Sequence, residues 1–236
     1  MLRGGKLNIS FSGSAYMNIL RKGLFAALAV ALTGSALAVV PGTSPLAPGN
    51  TVVAGVVPFG NNPGTLLATI ASPWSFTTTA GTTSGRFTTA VFQEAGGTLD
   101  FYYQVTNDPG SATALARMIA VNFSTFSTSV GYVLDGGATM GGLFLNGTWA
   151  PTSADRNASG SVVGFNWDNP NELQPGTISY TMVISTNATA FTAGNVSLID
   201  GGATTVAAFQ PTAVPEPATM AALGMGALAL IRRKRA

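Results

Sequence analysis

Leu99-Asp100-Phe101-Tyr102-Tyr103-Gln104-Val105-Thr106 sets Leu99, Phe101, Tyr103 and Val105 at every second position, with Asp100, Tyr102, Gln104 and Thr106 between them. Successive side chains of a strand point to opposite faces, so this period predicts a half-buried strand, one face on a core and the other toward solvent. The same period runs through Ile178, Tyr180, Met182 and Ile184, with Thr177, Ser179, Thr181 and Ser185 on the other face. It recurs in Val163, Phe165 and Trp167, and the stretches Arg86 to Gln93, Met118 to Phe126 and Val130 to Leu134 read alike.

Turn chemistry separates these runs: Asn107-Asp108-Pro109-Gly110, Asp135-Gly136-Gly137, Asp168-Asn169-Pro170-Asn171, Gln174-Pro175-Gly176 and Asp200-Gly201-Gly202. Such spacing predicts an all-β body of roughly eight to ten strands, a β-sandwich or jelly roll over residues 63–212. Ahead of it, residues 39–62 are rich in Pro, Gly, Ser, Thr and Asn and read as an irregular lead-in with one edge strand at Thr51 to Val57. The short stretch Ala112 to Arg117 is too brief for a helix, so helix is expected only at the two ends of the chain, as an N-terminal signal helix and a C-terminal anchor helix. The segments Asp135 to Thr139 and Asp200 to Thr204 share the sequence Asp-Gly-Gly-Ala-Thr, which predicts two similar turns.

The chain has 236 residues, 46% of them hydrophobic and 8% charged, enough to bury one sizeable core. Its charge is segregated. Arg3, Lys6, Arg21 and Lys22 lie in front and Arg232, Arg233, Lys234 and Arg235 at the back. Between Val39 and Val214 stand three cations (Arg86, Arg117, Arg156) and eight anions (Glu94, Asp100, Asp108, Asp135, Asp155, Asp168, Glu172, Asp200), a net of 3 − 8 = −5. An acidic body without a basic stripe lacks what a phosphate backbone requires, so no nucleic-acid partner is expected.

Both ends read as addresses. From Met17, the alternative start, Arg21 and Lys22 precede an apolar run from Gly23 to Leu32 and then Thr33-Gly34-Ser35-Ala36-Leu37-Ala38. A positive front, a short apolar run and small residues one and three places before the cut define a secretory signal peptide over residues 1–38, with Ala36 and Ala38 presented to signal peptidase and cleavage after Ala38. At the other end, residues 213–236 contain Val214-Pro215-Glu216-Pro217, an uncharged apolar run from Ala218 to Ile231, and the basic Arg232 to Arg235. The prolines keep the motif extended, the run enters the bilayer, and the cations hold its end at the cytoplasmic face. Its 14 residues are short against the roughly 20 that span a bilayer as a helix.

This tail resembles the PEP-CTERM sorting signal of exported proteins from exopolysaccharide-making bacteria, with Pro215, Glu216 and Pro217 on the family motif. The resemblance implies recognition by a membrane-embedded exosortase. Gly97 to Asn107, Ala154 to Trp167 and Thr192 to Phe209 are also similar to ectodomain segments of such proteins, a likeness that implies no activity.

The body is poor in catalytic groups. Without histidine or cysteine there is no Ser-His-Asp triad, thiol nucleophile or imidazole metal site, and without a body lysine there is no Ser-Lys dyad or phosphate loop. Glycoside hydrolysis needs only two carboxyls, and Asp155, Asp168 and Glu172 are the closest cluster in sequence; each also fits a polar turn. Ca2+ is the metal that such a body suits, with Asp135 and Asp200 as ligands or simply as turn residues. Of Trp74, Trp149 and Trp167, only Trp149 falls where it could stack on a sugar. Asn-X-Ser/Thr triplets at Asn8, Asn122, Asn146, Asn157, Asn187 and Asn195 offer glycosylation points. The expected protein is a non-enzymatic surface or matrix component linked to exopolysaccharide, with a carbohydrate-binding module as the alternative and a two-carboxylate glycosidase as the remote one.

Overall fold

The computed structural model describes residues 39–58, 61–134 and 140–213, and the expected terminal helices lie outside them. The described chain is all-β and holds no helix. Its strands are β1 (Ser44–Pro45), β2 (Thr51–Val52), β3 (Gly55–Val57), β4 (Thr65–Thr78), β5 (Gly81–Gln93), β6 (Leu99–Asn107), β7 (Arg117–Val121), β8 (Thr128–Val133), β9 (Ser153–Arg156), β10 (Val162–Asn166), β11 (Thr181–Thr186), β12 (Ala190–Asp200) and β13 (Gly202–Thr212).

They form two sheets. The first runs β1-β8-β11-β6-β5-β4, with β3 also on β8, and the second runs β13-β12-β7-β10-β9-β2. Pairing is antiparallel throughout except where β3 lies parallel to β8, joining Val56 to Tyr132. The lead-in is less irregular than expected: β1 and β3 share the outer edge of β8, while β2 pairs with β9 in the other sheet. One short segment therefore closes an edge of both sheets and buries Val40, Leu46, Ala54 and Val57 as it does so.

The alternating residues meet between the sheets. Phe87 and Val91 of β5, Phe101, Tyr103 and Val105 of β6, and Met182 and Ile184 of β11 pack against Met118 of β7, Phe165 of β10 and Val196 and Leu198 of β12 in one continuous core. Trp167 joins it, fully buried. Each such side chain contributes roughly 1.5–3 kcal/mol through removal from water, which is why the period-of-two pattern fixes which face turns inward.

The other face of β6 departs from expectation. Asp100, Tyr102 and Gln104 are not solvent-facing but buried. A second core covers them, in which Ala90, Phe92, Tyr102 and Val183 of the sheet meet Val40 and Val57 of the lead-in and Met140 and Phe144 of the segment after β8. Phe92 packs edge-on against Tyr102 at 5.2 Å, and Phe144 tilts over Tyr102 at 6.5 Å. Gln104 pins this cover, accepting from the Leu145 amide at 2.8 Å and donating to the Leu145 carbonyl at 2.7 Å. The middle of the first sheet is thus buried on both faces, and β6, β8 and β11 have almost no exposed residue.

Three boundaries also differ. The strand beginning at Met118 stops at Val121, because Asn122 takes φ 71°, a left-handed conformation that ends a strand. The run at Ile178 is a pair of isolated bridges before β11 begins at Thr181. The 14-residue β4 alternates from Leu67 onward, with Pro73 on its outward face, and only an irregularity between Leu66 and Ala68 breaks its register; an edge position tolerates both.

Candidate functional site

Two recesses and one buried acid stand out. The first recess, a cavity of about 470 Å³, lies on the outward face of the first sheet, where Thr69 of β4, Arg86 and Thr88 of β5, and Gln104 and Thr106 of β6 form the floor and Leu143 and Leu145 stand beside it. Cross-strand register brings Arg86 opposite Thr106 and Thr88 opposite Gln104, so hydroxyls, an amide and one exposed guanidinium share a single surface. Sequence reasoning missed it because its residues come from three strands and a loop, each of ordinary polarity.

The second, of about 420 Å³, is bounded by Pro45 to Pro48, Ser124 to Thr128 and Arg156. Arg156 is buried there without a carboxylate partner among the described residues, and burial lowers its pKa. Its Nε donates to the Gly160 carbonyl at 2.9 Å, one terminal nitrogen to the Leu46 carbonyl at 3.2 Å and Thr128 Oγ1 at 3.1 Å, and the other to the carbonyls of Phe123 at 2.6 Å and Phe126 at 2.8 Å. A guanidinium has five N–H donors and all five are engaged, which makes this a clamp and leaves none for a ligand.

The three acids of the paired-carboxylate reading do not converge on a cavity. Asp155 meets Arg117 through both oxygens and also accepts from Asn166 at 3.2 Å, on the outward face of the second sheet. Arg117 reaches it across Gly164, where any Cβ would collide with the guanidinium. Burial raises the Asp155 pKa, but the bonds from Arg117 and Asn166 outweigh it and hold the carboxyl below its usual range. Asp168 is exposed and accepts from Thr152 Oγ1 at 2.6 Å, while Glu172 sits in the turn that follows. The acid in an unusual state is Asp100, which the sequence placed toward solvent. Burial first, and then the neighbouring Glu94 carboxyl, push it up to about 8, against weaker pulls from Ser185 and the Thr186 backbone.

Trp149 is half-buried, packs against the main core, and donates its indole N–H to the Asn171 carbonyl at 2.7 Å. Asp200 ends β12 and is half-exposed; Asp135 lies outside the described residues. Asn122, Asn146, Asn157, Asn187 and Asn195 are all exposed, and Asn8 lies outside the described residues. So do Ala36, Ala38, Pro215, Glu216, Pro217 and Arg232 to Arg235.

The last described strand, β13, ends at Thr212 beside Ala190, and the chain leaves the sheet at Ala213. The segment that starts there, residues 213–235, matches the family model of the PEP-CTERM protein-sorting motif. The chain carries a PEP-CTERM signal. Such signals mark exported proteins that hold a C-terminal membrane anchor until an exosortase processes them. No helix among the described residues is long and apolar enough to cross a membrane. Neither a curated protein nor a solved structure matches the chain, so the PEP-CTERM signal is assigned by likeness and the body by its own geometry.

Proposed function

We propose that this protein is a non-enzymatic component of the cell surface or extracellular matrix, built as a β-sandwich and delivered by its two end signals. The observation that carries this reading is the PEP-CTERM motif at residues 213–235 directly after the last strand of a complete two-sheet body. Signal peptidase releases the N-terminus after Ala38, and exosortase acts at Pro215, Glu216 and Pro217 while Arg232 to Arg235 hold the tail at the cytoplasmic face. Intact-mass and terminal-peptide spectrometry on protein from the surface and membrane fractions of the native host tests it. The expected chain begins at Val39 and ends near Pro215 to Pro217, with extra mass where the exposed asparagines are glycosylated. A chain that keeps Arg232 to Arg235 in every fraction would make it a tail-anchored membrane protein instead.

The groove on the first sheet favours a second reading, an extracellular carbohydrate-binding module. Sugar sites combine convergent hydroxyl and amide groups with an apolar wall, and Thr69, Thr88, Thr106, Gln104 and Arg86 beside Leu143 and Leu145 supply both. Titration with isolated matrix exopolysaccharide is then expected to saturate, and Arg86→Ala to weaken it about tenfold, the loss of one charge-assisted hydrogen bond. Equal binding by the Arg86→Ala variant, or none by either protein, refutes it.

A further inference from the structure

One strand face holds a row of polar groups whose only neighbours near Asp100, among the described residues, are Glu94, Ser185 and the Thr186 backbone, none of them a cation. Thr98 Oγ1, both oxygens of Asp100 and the Tyr102 hydroxyl are buried with no partner in good hydrogen-bond geometry among the described residues. They occupy alternating positions of one chain segment and so share the outward face of the first sheet. Glu94 adjoins them across the β5–β6 turn, where its amide donates to the Thr98 carbonyl at 2.9 Å. Several unsatisfied groups around two carboxyls point to a missing cation.

The body offers none from its arginines. Arg86 lies opposite Thr106, toward the far end of β6; Arg117 is spent on Asp155; Arg156 is spent on carbonyls and a hydroxyl on the other side of the sheet. No lysine occurs between Val39 and Ala213. The group that does arrive is backbone. The cross-strand neighbour of Asp100 on β11 is Ser185, and Ser185 Oγ accepts a hydrogen bond from the Val40 amide at 3.4 Å. Val40 is fully buried in the second core, and Val39 before it is the residue that follows the signal-peptidase site.

Hydrolysis of the Ala38–Val39 peptide bond adds one water, leaving a carboxylate on Ala38 and an amine on Val39 that is protonated at neutral pH. We propose that the Val39 α-ammonium, created by signal-peptide removal, is the counter-ion of Asp100 and Glu94 and completes this row. The inference rests on the reading that cleavage follows Ala38. An ammonium brings three N–H donors and the two carboxyls offer four oxygens, and the residue after Val39 already donates its amide to Ser185, the cross-strand neighbour of Asp100; Val39 itself is exposed in the uncleaved chain and turns inward once freed. In the precursor the same nitrogen is an uncharged amide, so the body lacks its counter-ion until export is complete. The facing titratable groups are Glu94 from the β5–β6 turn and Tyr102 from β6; β11 presents Ser185, and the cover presents Val40, Met140 and Phe144, none of which titrates.

The missing body lysine makes the amine addressable, since in the mature chain Val39 carries the sole primary amine apart from Lys234 where the tail is retained. Mature protein from the native host is treated with an acetylating succinimidyl ester at pH 8, and labelling is followed by terminal-peptide mass spectrometry. The Val39 amine is expected to react about tenfold more slowly in the folded wild type than in Asp100→Asn or Glu94→Gln, one pKa unit of protection. Protein acetylated in denaturant and refolded is expected to melt at least about 4 °C lower than untreated protein carried through the same cycle, and Asp100→Asn to show no such difference. A chain that begins at Val39 but acetylates as fast as Asp100→Asn overturns the ion pair. A chain that begins elsewhere overturns the cleavage reading and the ion pair with it. Restoration of the acetylated protein's melting temperature by calcium, in wild type but not in Asp100→Asn, would make the row a metal site and also defeat the proposal.

Discussion

In protein whose Val39 nitrogen is uncharged, as an amide in the precursor or after acetylation, Asp100→Asn is expected to raise stability at pH 8 by on the order of 5 kcal/mol and to flatten its pH dependence. The size follows from the carboxyl's pKa, about 8 in the fold and 3.8 as its ordinary value, at about 1.4 kcal/mol per pH unit. The sign follows from the direction of the shift. A carboxyl raised by folding binds its proton more tightly in the native state, so its stabilising contribution is whole below about pH 4 and is lost as pH climbs through 8. Asparagine has nearly the same shape and never ionises, so it removes the loss while keeping an amide that can donate to Glu94. Urea midpoints for both chains at pH 4, 6 and 8 check this: the two are expected to be nearly equal at pH 4 and to diverge steadily above it. Parallel curves across that range would mean that Asp100 ionises in the fold at its ordinary pKa. With a free Val39 ammonium the divergence is expected to shrink, because the cation stabilises the ionised carboxylate.

Replacing Arg156 by leucine is expected to destabilise the body by about 3–5 kcal/mol, a large share of the 5–15 kcal/mol that holds an ordinary domain together. The cost comes less from the lost charge than from what is left behind. Four carbonyls, of Leu46, Phe123, Phe126 and Gly160, together with the Thr128 hydroxyl, are drawn onto one guanidinium from the lead-in, the β7–β8 loop, β8 and the β9–β10 hairpin. Buried acceptors without donors cost about 1–3 kcal/mol each, and water entering the recess beside them recovers part of it. Arg156→Lys is expected to recover less than half of the loss, since an ammonium has three donors for five acceptors and no planar fork. Chemical denaturation measures the loss. Proteolysis under native conditions locates it, with first cuts expected between Pro45 and Pro48 or between Ser124 and Ser127. A leucine variant within 1 kcal/mol of wild type would show that the five bonds are not made in solution.

The two sheets were legible because a period of two is a local property. Leu99, Phe101, Tyr103 and Val105 alternate whatever they pack against, and the glycine, proline and asparagine turns between runs follow from backbone sterics alone. The lead-in read as one edge strand at Thr51 to Val57, but its division into β2 and β3 on different sheets was not legible, since two or three residues carry no period, and β4 was not read as a strand because Leu66, Leu67 and Ala71 spread apolar residues over both of its faces. The acid at position 100 was misplaced for a different reason. Alternation shows that two faces differ in chemistry, but whether the polar face meets water depends on what another part of the chain lays over it. Here that part is Met140 to Leu145 together with Val40 and Val57, more than 30 residues away in either direction.

Some properties of this protein were therefore settled by sequence. The sorting tail is matched through residues 213–235 alone, as a Pro-Glu-Pro motif, an apolar run and a cationic end in that order, so order and composition carry the match. The acidic, lysine-free, histidine-free character of the body is likewise fixed by composition, and with it the chemistries the body lacks. Tertiary structure alone decided that Asp100 is buried beside Glu94, that Arg156 clamps four segments while Arg117 pairs with Asp155, and that the second residue of the expected mature chain is seated next to Asp100. Each is a meeting of groups far apart along the chain, whose energies depend on burial and on distances of a few ångströms, and neither quantity exists until the sheets have formed.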